Sequence, residues 1–338
     1  MEIGTVPPAF SLAALAPTTL ETAVIVGVSR PRRAVAGTGL DVFPIALNAK
    51  HFGGAVSEET AVEILDTFSA LGGNLIDTAD AYGEGRSEQI IGRWMQRRGN
   101  RDRLVIATKV GRSVANPGLS AAAITASVAA SMRRLCTDRL DVLYLHVDDT
   151  EVPFEETLLA VDELIRREMV RTFGLSDHTG TRLLAARVAC ALLGVAPMTV
   201  LQNEYSLLHR SGYEGDLARV AEQQGLAVMP RFPLAGGLLL TAAAESRMRA
   251  HPPGDGRHSS DGVSFSRRTR RIRAVVGRIA DELGVGPGTV ALAWLLGRPG
   301  VVAPVVSVES APQLFEVMSA PELRLTRHHL AELERVSR

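Results

Sequence analysis

From about residue 45 to residue 320 the chain alternates short apolar runs with longer stretches whose apolar positions recur at helical spacing. The runs fall at residues 45–47, 74–77, 104–109, 141–146, 170–175, 199–202, 227–230 and 301–304. They are nearly continuous in Val, Ile and Leu rather than alternating with polar residues, the pattern of strands buried on both faces of a parallel sheet. Helical patterns follow at 58–71, 87–96, 121–135, 154–167, 182–193, 217–224, 268–283 and 312–319. Ser57 is placed as the N-cap of the first, with acidic residues in its first turn and Gly72-Gly73 as its stop. Strands that are each followed by a helix, eight times over, predict an α/β chain folded as a (β/α)8 TIM barrel in one domain. A doubly wound sheet needs a Gly-rich phosphate turn after its first strand. Here that strand leads into Asn48-Ala49-Lys50-His51-Phe52-Gly53-Gly54, which is not GxGxxG.

Three segments lie outside this alternation. Residues 33–43 predict a hairpin turning at Gly37-Thr38-Gly39. Residues 1–32 form an N-terminal extension without clear periodicity, leaving 33–338 as the barrel domain. A loop at about 241–266 carries HPPGDGRHSSDG, and loops of that length inside a compact domain are usually functional or disordered. A short helix is expected from Thr326 onward.

Composition narrows the function classes. The 338 residues are 46% hydrophobic and 22% charged, which excludes a disordered regulator, a collagen or a coiled coil. The 37 basic residues balance the 37 acidic ones, which argues against nucleic acid as the main partner. No run of about 18 apolar residues offers a membrane span, and the first Arg is Arg30, so no basic leader precedes an apolar stretch. Cys136 and Cys190 are not a CxxC pair; both are expected to be buried reduced thiols of a cytoplasmic protein, with no metal site. Lys50 and Lys109 are the only lysines, which leaves 37 − 2 = 35 arginines. A lysine here therefore invites a chemical question, because its charge can be tuned whereas that of arginine cannot.

In a parallel barrel the active site lies at the C-terminal ends of the strands. Those ends carry Asp77 and then Tyr82, Lys109, His146, Ser176-Asp177 and Gln202. Asp, Tyr, Lys and His around one opening suit the protonation of a carbonyl oxygen as a hydride reaches its carbon. A free tyrosine has a pKa near 10; a neighbouring ammonium such as Lys109 favours the phenolate and lowers it, and Asp77 can hold that lysine charged. His146 can donate to the carbonyl oxygen. The hydride has to come from a cofactor, because no side chain supplies one.

These residues resemble a family. IDTADAYGEGRSEQIIGRWM, LVIATKVG, LDVLYLHVDD, VRTFGLSDH, VLQNEYSLLHR and PLAGGLLLT are similar to the successive blocks of an aldo-keto reductase, and RRAVAGTGLDVFPIAL to its opening hairpin and first strand. The resemblance runs from about residue 33 to 320, and the family's tetrad falls on Asp77, Tyr82, Lys109 and His146. It implies a nicotinamide dinucleotide, NADPH by family habit, lying across the barrel opening. Its carboxamide would be met by Ser176, Asp177 and Gln202, and its pyrophosphate by the segment containing Leu234, Gly236 and Leu238. It implies further cofactor contacts at Arg231, Ser307, Glu309 and Gln313.

The sequence departs from the family pattern on the cofactor side. Asp177 stands where Asn is usual, and Arg231 where a Tyr commonly stacks on the nicotinamide. Asn48 replaces a Gly, Glu309 the phosphate-binding Arg, and Val317 an adenine-side Asn. Glu309 would repel a 2′-phosphate and accept from a ribose 2′-hydroxyl, which admits NADH as well. The expected function is reduction of an aldehyde or ketone, a small-molecule carbonyl such as a sugar or nucleotide sugar, with Tyr82 as proton donor. The polar residues Lys50, His51, Asp148, Asp149 and Arg231 at the opening disfavour an apolar ligand. Two readings of other classes stand beside it: a non-catalytic dinucleotide-sensing or scaffold barrel, and a lyase or dehydratase reusing the Tyr-Lys-His set.

Overall fold

The computed structural model describes residues 31–240 and 266–338; most of the N-terminal extension and of the 241–266 loop lies outside the described residues. A hairpin of β1 (Arg33–Val35) and β2 (Leu40–Val42) opens the described chain, as predicted. Eight parallel strands follow: β3 (Ala46–Asn48), β4 (Leu75–Asp77), β5 (Val105–Val110), β6 (Leu140–Leu145), β7 (Val170–Ser176), β8 (Val200–Gln202), β9 (Ala227–Val228) and β10 (Val305–Val306). They pair in the order β10-β3-β4-β5-β6-β7-β8-β9. Parallel bridges from Val228 to Val301 and from Arg231 to Val305 join the two ends of that order, closing the (β/α)8 barrel.

The helices are α1 (Glu58–Ala70), α2 (Arg86–Arg98), α3 (Ala121–Leu135), α4 (Phe154–Arg166), α5 (Gly180–Leu193), α6 (Asp216–Gln223), α7 (Arg267–Leu283), α8 (Pro287–Leu296), α9 (Pro312–Met318) and α10 (Arg327–Ser337). Ser57 caps α1, its side chain accepting from the Thr60 amide. Two expectations shift. Helix α8 is absent from the predicted set: it starts at Pro287, which the first helical turn tolerates, and a helix buried on nearly every side has no amphipathic period to detect. The last strand lies at Val305–Val306 rather than 301–304. The run from Val301 to Val306 is apolar throughout, so its register is invisible in sequence. Its first half bonds to β9 (Val302 amide to Val228 carbonyl, 2.8 Å). Its second half bonds to β3, with the Ala46 amide donating to the Pro304 carbonyl at 2.9 Å.

Residues alternate between two cores. Ile76, Ile106, Leu143 and Leu145 face the helices, while Ala46, Leu75, Val105, Ala107, Val142, Tyr144 and Val200 fill the barrel interior. Val35, Leu40 and Val42 of the hairpin join that inner cluster. The hairpin is tied to the N-terminal strand ends: the Phe43 amide donates to Asn74 Oδ1 at 2.8 Å, Asn74 Nδ2 donates to the Asp41 carbonyl, and Arg33 donates to the carbonyls of Val301 and Leu296. Cys136 is exposed, contrary to expectation, because it ends α3 as its left-handed C-cap (φ 52°); Cys190 is buried, and both thiols are free. Among the described residues no single helix is long and apolar enough to cross a membrane, and no cluster of His, Cys, Asp and Glu is arranged to hold a metal.

Candidate active site

Successive side chains of a strand point to opposite faces. Leu75 and Asp77 therefore share one face, as do Val105, Ala107 and Lys109 on β5, Val142 and Tyr144 with His146 just beyond β6, and Val200 and Gln202 on β8. The apolar members of these sets form the inner cluster. The polar members continue the same inward parity at the C-terminal ends, so the barrel gathers Asp77, Lys109, His146 and Gln202 at one end.

The contacts there are dense. Lys109 Nζ bonds to Asp77 Oδ1, and donates to the Thr78 carbonyl at 3.0 Å. Gln202 Nε2 donates to the other Asp77 oxygen at 2.8 Å. The family resemblance placed Gln202 on a carboxamide; in the folded chain its nitrogen bonds to Asp77. Both members of the ion pair are almost fully buried, Asp77 at 1% and Lys109 at 1% exposure. Burial alone would lower the lysine pKa, but the Asp77 carboxylate and the Tyr82 phenol outweigh it, and the net shift is upward. The ammonium lies 5.1 Å from the Tyr82 ring centre, and that ring meets the His146 imidazole edge to face, with centroids 6.2 Å apart.

Burial raises the Tyr82 pKa and the Lys109 ammonium pulls it back; burial wins. The expected net lowering is thus reversed, and Tyr82 keeps its proton at neutral pH, as a donor must. The His146 pKa is held well below the usual histidine range by burial first, then by Lys109, Arg112, Arg231 and Lys50. The imidazole is neutral, and its buried Nδ1 has no hydrogen-bond partner among the described residues.

Tyr82 sits on a turn rather than a strand, and the rest of its sequence block fixes that turn. Gly83 and Glu84 both adopt left-handed φ (56° and 58°). The Asp80 amide donates to the Lys109 carbonyl at 3.0 Å. Ser87 donates to the Ala49 carbonyl and bonds with Thr78 Oγ1, both at 2.9 Å. Glu88, fully buried, accepts from Thr108 at 2.6 Å and from Arg134 at 2.7 Å. A Cβ on Gly92 would lie 2.3 Å from the Arg134 carbonyl oxygen, so glycine is what lets α2 pack closely enough on α3 to deliver that arginine. Asp80 is the exception in this scaffold. It is buried, its oxygens lack a well-aligned hydrogen bond among the described residues, and burial together with the nearby Glu88 charge pushes its pKa up to about 7, against the pull of Arg134 and the weaker pull of the Ala81 and Gly111 amides.

The rim is built differently. Asp177 follows β7 at φ 60°, a left-handed position that Asp and Asn tolerate better than most residues. The two departures at Asp177 and Arg231 are one unit: Arg231 Nε donates to Asp177 Oδ1 at 2.7 Å. Arg231 also reaches Glu204 at 3.5 Å, and Arg112 reaches the second Asp177 oxygen at 3.5 Å. Ser176 Oγ, Asn203 Oδ1 and Glu204 Oε1 are buried oxygens without a hydrogen bond among the described residues, Glu204 Oε1 lying 3.7 Å from His209 Nδ1. Orphaned polar atoms at adjacent strand ends are costly unless a ligand satisfies them, and acceptors of this kind fit the amide hydrogens of a carboxamide.

Other assigned residues divide. Leu234 and Leu238 bury their side chains in the outer core, and the amides of Gly237, Leu238, Leu239 and Leu240 already donate within the same turn. Gly236 adopts φ 67° inside that turn. Gln313 accepts from the Glu309 amide at 2.7 Å, which orders the approach to α9; Ser307 is half-buried and Glu309 exposed, its charge acting on His51. Val317 is a core residue, which accounts for an apolar side chain there. Asp148 and Asp149 are structural rather than free rim charges. Asp148 is held by Arg182 Nη2 at 2.7 Å, and Asp149 accepts from the Leu119 amide at 2.8 Å. Arg112, Asn203 and Glu204 escaped the sequence reading. The available signal for Arg112 was its place three residues after Lys109, on the loop leaving the same strand.

The aldo/keto reductase family model matches residues 44–338. The aryl-alcohol dehydrogenase (NADP+) of Phanerodontia chrysosporium is 29% identical, over 88% of this chain and 83% of that protein. An uncharacterized oxidoreductase of Bacillus subtilis is 30% identical, over 88% and 92%. The norsolorinic acid reductase of Emericella nidulans is 30% identical, over 88% and 78%.

Proposed function

The chain belongs to the aldo/keto reductase family, as an NAD(P)H-dependent oxidoreductase, and on that premise we propose that it reduces a polar aldehyde or ketone to the alcohol with Tyr82 as proton donor. The observation that carries the proposal is the buried chain Gln202–Asp77–Lys109 ending beside the Tyr82 ring. A bound nicotinamide dinucleotide supplies the hydride. As negative charge grows on the carbonyl oxygen, Tyr82 gives up its proton and the Lys109 ammonium stabilises the phenolate that remains. Asp77 keeps the ammonium charged and in place. The neutral His146 ring orients the carbonyl oxygen with an N–H, adding no charge of its own.

The sugar or nucleotide-sugar carbonyl expected from the sequence is one member of this polar class; two relatives are named for an aryl alcohol and for norsolorinic acid instead. Ser176, Asp177 and Asn203 are the proposed carboxamide acceptors. NADP(H) is the proposed habitual cofactor, with NAD(H) tolerated because Glu309 offers a carboxylate rather than a guanidinium. A cytoplasmic location belongs to the same proposal and rests on the two free thiols.

The test follows dinucleotide absorbance with NADPH and NADH over a panel of aldehydes, in wild type and Tyr82→Phe. The variant keeps the ring and loses the donor, so kcat is expected to fall on the order of 10²–10⁴-fold while dinucleotide affinity holds. Near-normal turnover in the variant refutes the role of Tyr82. Dinucleotide binding without turnover of any carbonyl favours the sensing barrel, and turnover without a change in absorbance favours the lyase.

A further inference from the structure

Of the four cations that act on His146, Lys50 is exposed to solvent, and the three that are at least partly buried are not equally paired. Lys109 is bonded to Asp77. Arg231 has carboxylates on two of its nitrogens, Asp177 at 2.7 Å and Glu204 at 3.5 Å. Arg112 has only a share of Asp177, at 3.5 Å, and its Nε is buried with no hydrogen-bond partner among the described residues. Asp177 is therefore one carboxylate between two guanidiniums, and it is tightly engaged by only one of them.

A guanidinium that is only weakly paired, partly exposed and close to a neutral, desolvated imidazole has charge left over for an anion. Arginine meets carboxylates with paired, charge-assisted hydrogen bonds. Arg112 leaves β5 three residues beyond Lys109, and its side chain is about a quarter exposed, so its charge is reachable from solvent at the end of the barrel where Tyr82 and His146 lie. Its positive charge acts directly on His146.

We propose that Arg112 is a specificity-determining residue of this site, and that it selects carbonyl substrates bearing a carboxylate. The inference rests on the reductase reading above and deepens it. The carboxylate itself undergoes no chemistry: the carbonyl carbon takes the hydride and its oxygen takes the Tyr82 proton, while Arg112 holds the anion and sets the direction from which the carbonyl enters. Arg231 is less suited to the task, because its pairing with Asp177 and Glu204 must first be broken.

The experiment compares 4-carboxybenzaldehyde with its neutral methyl ester, methyl 4-formylbenzoate, using NADPH and the full-length protein. Wild type is expected to favour the acid in kcat/KM. Arg112→Gln is expected to reduce the acid-to-ester ratio at least tenfold, mainly through KM, and Arg112→Lys to retain part of it because the charge remains. Benzoate binding by calorimetry gives a readout that needs no turnover, and it is expected to weaken at least tenfold in Arg112→Gln. Far-ultraviolet circular dichroism checks that each variant is folded. An unchanged acid-to-ester ratio and unchanged benzoate affinity in Arg112→Gln overturn the proposal while leaving the reductase reading intact. Arg112-dependent benzoate binding with neither aldehyde reduced sustains the anion site and overturns the reductase reading.

Discussion

The two ends of this barrel are made on opposite terms. At the N-terminal end the hairpin residues Val35, Leu40 and Val42 extend the apolar inner core, and the polar groups around them are satisfied by Asn74 and Arg33. At the C-terminal end the same strands change from Leu, Val and Ala to Asp77, Lys109, His146 and Gln202. Beyond those residues, buried acceptors and a buried arginine nitrogen go unmatched. The first end is largely paired as it stands, Asn100 Oδ1 before β5 being a buried acceptor there without a hydrogen bond among the described residues. The other carries a cluster of desolvated polar groups, each costly until water or a ligand completes it. The contrast also exists within the active end. Asp77 and Asp80 are three residues apart and equally hidden, yet Asp77 holds a lysine and a glutamine while Asp80 faces another carboxylate.

The contrast breaks most visibly at Lys109. Lys109→Met removes one partner of a fully buried pair and leaves Asp77 uncompensated. A loss of about 3–5 kcal/mol is expected, measured by urea denaturation, together with collapse of carbonyl reduction. Adding Asp77→Leu should restore much of the stability and none of the activity. A single variant as stable as wild type contradicts the tight pairing.

At the opposite end, Leu40→Ala should cost about 2–3 kcal/mol, toward the low side of core truncations because a hairpin can resettle. The folded fraction should keep its kcat/KM, since no hairpin residue touches the reacting end. A parallel fall in kcat/KM shows that the two ends are coupled.

The smallest change sharpens the comparison of the two aspartates. The Asp80 carboxyl has its pKa raised in the folded chain, from an ordinary value near 3.8 to about 7. The native state therefore binds the proton over a range where the unfolded chain has released it, and stability drains away as pH rises from about 4 through 7. Asp80→Asn removes that loss. Its stability relative to wild type should grow with pH and reach about 1–3 kcal/mol by pH 8, while the gap at pH 4 stays near zero. Thermal or urea melts across that range check it; a gap that does not change with pH places the titration elsewhere.

Reading the sequence recovered most elements because the signals were physical ones: continuous apolar runs, helical spacing, a serine cap, a Gly-Gly stop. The failures have physical causes too. Helix α8 lacks a polar face, and the Val301–Val306 run is too uniform to show which of its residues bond to which neighbour. Asp77, Lys109 and His146 were legible because they sit at successive strand ends, whereas Tyr82, on the turn after β4, was legible only within its sequence block. The Asp177–Arg231 pair was legible only as two separate oddities, and Arg112 carried no mark beyond its position.

The sequence by itself determined the class of fold, the family and the end of the barrel where Asp77, Lys109 and His146 gather. Each of these follows from local periodicity and from residue types whose chemistry is narrow. Tertiary structure decided how the charges pair. Pairing depends on which side chains from distant strands meet within a few ångströms in a medium that no longer screens them. That is how Gln202 came to hold Asp77, how Asp80 was left facing Glu88, and how one carboxylate at position 177 was divided between Arg231, which it satisfies, and Arg112, which it does not.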